Sequence, residues 1–198
     1  EFYNEFVGLD IDEMVCLINA PTADKPFGRL YTVQYLGNVV GGHIVRYLNA
    51  EIEILKRAAQ QSVTDGRAVW FGCDVGKMYH SELGILDSEV YDYGLAYGDD
   101  YKLDKAGRLD YGHSRMTHAM VFTGVDVDDS GESTRWRVEN SGGTKNGDKG
   151  YLAMSDRWFD EYLYEIVVHR SYVPDDLLAA LETEPIVLPP WDPMGALA

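Results

Sequence analysis

Residues 117–127 form an apolar run that ends at the acidic turn DVDDSGE, and residues 134–139 follow with strict alternation. Trp136 and Val138 fall on one face of that second run, Arg135 and Arg137 on the other, the period of a half-buried strand. Two such runs joined by one short polar turn form an antiparallel hairpin, and a hairpin needs further strands to cover its apolar face. Candidates lie on both sides: residues 14–19, 30–35, 67–73, 151–154 and 162–168 are short and rich in β-branched and aromatic types. They do not alternate regularly with helices, so a doubly wound parallel sheet is excluded. The pattern predicts an α+β fold with an antiparallel sheet, open or closed into a barrel, and helices at either end.

The clearest helix is residues 50–64, where Ile52, Leu55, Ala59 and Val63 form one stripe with charges opposite. Asn49 is placed to cap it, and Gly66 follows its last turn. Ser155 caps a second, short helix, and Pro174 opens a third that runs to residue 181. The segments 21–28 (PTADKPFG) and Gly41, Gly42 read as turns. Residues 77–111 hold many Tyr, Asp and Gly with little periodicity. They read as an insertion of loop and short helical pieces, a candidate lid or intersubunit surface. The division predicted is a body over residues 1–181 and an arm over 182–198, extended because Pro185, Pro189, Pro190 and Pro193 recur in it.

With 17 basic residues against 33 acidic ones, a net charge of −16, the chain lacks the cationic surface that nucleic acid or anionic lipid demands. No apolar stretch has the length of a membrane span, and no basic leader precedes an apolar run. Cys16 and Cys73 are too few for a disulfide scaffold, and each lies in an apolar string, so packing is their default role and a reducing cytoplasm suits them.

Chemistry concentrates at one end of the hairpin. His118 opens the strand in THAMVFTGV, and a histidine there is ordinarily a packing or edge residue. Asn140 closes the strand in RVENSGG, and an Asn before a Gly-rich loop is ordinarily a turn residue. The hairpin changes the weighing, because it brings its two outer ends together although the residues are 22 positions apart. An imidazole oriented by a carboxamide is the support a thiol nucleophile needs. His43, His80, His113 and His169 show no metal-ligand spacing, so no metal and no cofactor is expected.

The order of strings carries more than any one of them. AVWFGCDVG, MTHAM, WRVENS, KGYL and the ending EPIVLPPWDPMGALA together resemble the bleomycin hydrolase and aminopeptidase C family of papain-like cysteine peptidases, over nearly the whole chain. The resemblance implies a papain-like fold and a cysteine-type aminopeptidase of which this chain is the C-terminal portion. It implies that His118 pairs with the nucleophilic thiol and protonates the leaving amine, while Asn140 holds the ring. That thiol belongs to an upstream Gln-containing, Cys-Trp type motif that nothing here matches: Cys16 precedes Leu17 and Ile18, and Cys73 lies in a strand-like string. The N-terminal part of the same protein would supply it, and this piece alone would be inactive. The main-chain carboxylate of Ala198 would bind the α-ammonium of a peptide substrate. Trp191, Met194 and Leu197 would anchor the arm, and the whole protein would form a homohexamer. One departure stands out: the family usually has Trp after the Asn-Ser pair, and this chain has Gly142. That departure and the missing nucleophile favour the alternative, a non-catalytic assembly or binding module on the same fold.

Overall fold

The computed structural model describes residues 5, 6, 8, 10–37, 39–99 and 102–196. Three strands, β1 (Met14–Ile18), β2 (Arg29–Val33) and β3 (Tyr47–Asn49), precede helix α1 (Ile52–Thr64). Strand β4 (Val69–Cys73) follows, then β5 (Tyr79–His80), β6 (Ile85–Leu86), and the short helices α2 (Tyr93–Tyr97) and α3 (Lys105–Asp110). The hairpin is β7 (His118–Val127) and β8 (Ser133–Glu139). It leads to β9 (Tyr151–Ser155), α4 (Asp156–Tyr162), β10 (Leu163–His169), α5 (Asp175–Leu178) and β11 (Ile186–Leu188).

All the strands join one sheet in the order β11-β2-β3-β1-β10-β4-β7-β8-β9-β6-β5. The fold is α+β, as the pattern predicts, and the long central pairings are antiparallel. The sheet is nevertheless mixed, because β1–β3, β2–β11 and β6–β9 pair in parallel. No sequence period distinguishes those short parallel contacts from antiparallel ones.

The central strands carry the core. Phe71 and Phe122 stack at 4.0 Å between ring centroids, Trp136 lies 4.8 Å from Phe122, and Phe159 of α4 covers both. Truncating any of these buried rings to Ala would cost roughly 3–5 kcal/mol. Helix α1 packs on the same layer through Leu55, Ala58 and Ala59. Its buried Lys56 reaches two carboxylates of α4, Asp156 at 2.6 Å and Asp160 at 2.7 Å, so two ion pairs tie the helices over the sheet.

Asn49 does not cap α1. It is the last residue of β3, fully buried, and its carboxamide bonds Ala20 N at 2.9 Å, Ala20 O at 3.0 Å and Lys25 O at 2.7 Å. The N-cap position falls to Glu51, which makes no side-chain cap bond. A residue good at capping is equally good at closing a buried loop, and the local string does not separate the two. Residues 77–111 contain the predicted helical pieces and also β5 and β6, too short for a periodic signal. The described part of the arm, residues 182–196, is not uniformly extended: β11 pairs with β2, and residues 193–195 make one 3-10 turn capped by Asp192. Among the described residues, no helix is long and apolar enough to cross a membrane.

Candidate active site at the open end of the β7–β8 hairpin

The acidic turn fixes the hairpin's closed end. Asp128 Oδ1 accepts from Ser130 Oγ at 2.6 Å, Glu132 N at 3.1 Å and Ser130 N at 2.8 Å, and these bonds, the hydroxyl's first, hold its carboxyl below the usual range. From there the register runs through two bulges to Val121 opposite Glu139. Asn140 is the next residue, diagonal to His118, a separation that an imidazole and a carboxamide can bridge. They do: His118 Nε2 lies 2.9 Å from Asn140 Oδ1. A carbonyl oxygen only accepts, so the ring's proton sits on Nε2 and Nδ1 is left for another partner. Both residues are half-buried, so the ring is shielded on one side and reachable on the other.

The backbone beneath the ring is equally defined. His118 stands opposite Cys73 in the β4–β7 pair, and Thr117 N donates to Cys73 O at 2.9 Å. Asn140 N donates to Gly150 O at 3.3 Å, which places the carboxamide at the head of the loop 141–150. Gly142 stands where the resemblance implies a Trp. A Cβ there would meet only Asn140, with Nδ2 at 3.5 Å, so the outer side of the carboxamide has room for a larger side chain.

Neither cysteine is fit to be the nucleophile. Burial pushes the Cys73 thiol well up, and the neighbouring Asp74 charge adds to it. Burial likewise raises Cys16, whose thiol donates to Glu165 Oε1 at 2.8 Å. A thiol attacks as thiolate, and both are held in the protonated form. Glu165 is itself pushed up to about 7 by burial, with the Cys16 bond opposing. Among the described residues, no group of three or more His, Cys, Asp or Glu is placed to hold a metal ion.

Ala198 and Leu197 lie outside the described residues. The arm leading to them is held at several points. Lys25 and Asp192, both buried, form an ion pair at 2.9 Å, Met194 is fully buried, and Gly195 lies against Val33. Met194 shares its apolar cluster with Met116, two residues before His118. Trp191, expected as an anchor, is instead 82% exposed, because the turn at residues 189–192 points it outward.

A cavity of about 970 Å³ opens in the tyrosine-rich region between Lys77, Tyr91, Tyr93, Arg108 and His113. Neither His118 nor Asn140 lines it. Arg108 of α3 lines it, and Lys105 of the same helix donates to Asp160 O at 2.8 Å and Leu163 O at 2.6 Å and thereby caps the end of α4. Composition alone could not reveal this cap, since a lysine in a polar stretch is ordinarily solvated.

Helices flanking one mixed sheet, with a histidine strand opening beside its asparagine partner, define the class: an α+β fold of the papain-like type. The particular family follows from comparison. The chain belongs to the Peptidase C1-like family, whose model matches residues 1–195. It is 53% identical to aminopeptidase C of Lactococcus lactis subsp. cremoris over 198 residues and 52% identical to bleomycin hydrolase of Homo sapiens over 203. The crystal structure of PepW from Lactobacillus rhamnosis superposes with a TM-score of 0.96 at 50% identity, over the whole of this chain and 45% of that one. All of this chain is covered in both sequence matches, yet it spans only 45% of the length of those relatives.

Proposed function

We propose that this chain is the C-terminal portion of a cysteine-type aminopeptidase, and that His118 and Asn140 are its proton-transfer pair. The observation that carries the reading is the 2.9 Å contact between His118 Nε2 and Asn140 Oδ1. With Nε2–H committed to the carboxamide, Nδ1 is the nitrogen free to exchange a proton with a thiol. That thiol would come from the N-terminal part of the same polypeptide, since Cys73 is buried, half-buried Cys16 is bonded to Glu165, and the pKa of each thiol is raised. In the reaction, the thiolate attacks the peptide carbonyl while His118, now imidazolium, returns the proton to the departing amine. Water then releases the acyl group with His118 acting as base. Asn140 keeps the ring in one tautomer through both steps.

The carboxylate of Ala198 would pair with the substrate's α-ammonium and so confine cleavage to the amino end. Support comes from the arm, tied down as far as Gly195 and sharing a cluster with Met116. This piece alone would be inactive, the whole protein a cytoplasmic homohexamer, and no cofactor would be needed.

The experiment is release of a fluorescent amine from an aminoacyl-coumarin by the longer polypeptide. Activity should vanish on thiol alkylation and in His118→Ala. Activity that survives either treatment would overturn the assignment. The bare side of Asn140 at Gly142 favours the second reading, a non-catalytic binding or assembly module. It predicts no turnover in the longer polypeptide even with its upstream thiol intact.

A further inference from the structure

Asp74 follows the last residue of β4 and is buried, 5% exposed. A carboxylate so placed needs donors, or its desolvation destabilises the fold. The donors it meets belong to one short run. Ser114 Oγ donates at 2.9 Å and Arg115 N at 3.4 Å to one oxygen, and Thr117 Oγ1 donates at 3.2 Å to the other. Tyr164 OH in turn donates to Ser114 Oγ at 2.7 Å. From the opposite side, Arg108 O accepts from His113 N at 2.8 Å and Ser114 N at 3.1 Å. Residues 113–117 are therefore clamped between α3 and the end of β4, and the next residue is His118.

Asn140 cannot supply that rigidity. It stands at the head of the loop 141–150, where Gly143, Gly147 and Gly150 adopt positive φ. His118 is the first residue of β7 paired with β4, opposite Cys73, so the segment that leads into that strand end must be held as well, and misplacement of a proton donor by about 1 Å costs on the order of 100-fold in rate. We propose that Asp74 is a positioning residue for His118: its carboxylate holds residues 114–117 so that the imidazole emerges in reach of Asn140. The inference rests on the reading of His118 as proton carrier. A staple that merely closed the loop could bind anywhere along it, whereas these bonds end at the residue that precedes the histidine.

The test follows the Nε2 proton of His118 by nitrogen-15 NMR in the 198-residue chain, where that proton is protected by Asn140. Asp74→Asn keeps the shape but cannot accept at both oxygens. Exchange of the Nε2 proton and of the Thr117 amide should accelerate about tenfold or more, the worth of one charge-assisted hydrogen bond. Ser114→Ala combined with Thr117→Val keeps the carboxylate and removes its hydroxyl donors, and it should accelerate both exchanges likewise. Asn140→Ala is the separate control on the site itself. If it leaves the Nε2 proton protected, the proposed proton-transfer pair falls, whatever Asp74 does. If Asn140→Ala exposes the proton while Asp74→Asn and the double variant leave it protected, the role of Asp74 is overturned and the pair stands. Should Asp74→Asn not fold, the double variant decides alone, and unchanged protection in it overturns the proposal.

Discussion

The imidazole of His118 and the carboxamide of Asn140 meet at 2.9 Å. A bond of this kind is stronger when dry, and Gly142 leaves its outer side bare. Gly142→Trp should therefore slow exchange of the His118 Nε2 proton, measured by NMR; acceleration would show that the indole crowds the carboxamide instead of covering it. A second residue-scale prediction concerns Glu165. Burial holds its folded-state carboxyl at about 7, above the ordinary 4.5, so the folded chain binds the extra proton. Stability should fall as pH rises from about 4.5 to 7, because the buried carboxylate must then ionise beside Cys16 and Tyr47. Glu165→Gln should flatten that slope in urea titrations, and an unchanged slope would assign it to other groups. The contact between His118 and Asn140 was legible in the sequence because hairpin topology forces their strand ends together. Glu165 was not, since one acid within the apolar string LYEIVVH gives no sign of which face it turns to.

At the scale of elements, long periodic segments were readable and short ones were not. Helix α1 and strands β4, β7, β8 and β10 fall within a few residues of their expected bounds, the helix and β8 because burial of one face imposes a period, β4 and β10 because near-continuous burial makes an apolar run. Strands β3, β5, β6 and β11 have two or three residues each and owe their existence to a neighbour already in the sheet. The cap on α4 is a case where local chemistry sufficed: Ser155 Oγ accepts from Trp158 N at 3.3 Å. Ser155→Ala should cost about 1 kcal/mol in denaturant midpoints without moving the midpoint's slope. A loss near zero would mean that the ion pair between Lys56 and Asp156, not the cap, fixes that helix start.

For the whole molecule, the question is how the arm and the hairpin are held in one frame. Lys25 and Asp192 join the first loop to the last turn in a buried pair, and leaving either charge without its partner is expensive. Lys25→Met should destabilise the chain by about 3 kcal/mol and open the end of the arm to limited proteolysis. Protease resistance equal to that of the parent chain would mean that β11 and Met194 suffice. Sequence showed the arm by its prolines and one anchor, Met194, but not the pair of Lys25 with Asp192, because an ion pair spanning the chain leaves no local pattern. The central claim is that His118 serves a thiol from elsewhere in the polypeptide, and alkylation rate against pH tests it most directly. In the longer protein the nucleophilic cysteine should react with iodoacetamide well below the ordinary thiol pKa of about 8.5, and His118→Ala should return the profile to that value. Identical profiles with and without the imidazole would contradict the account.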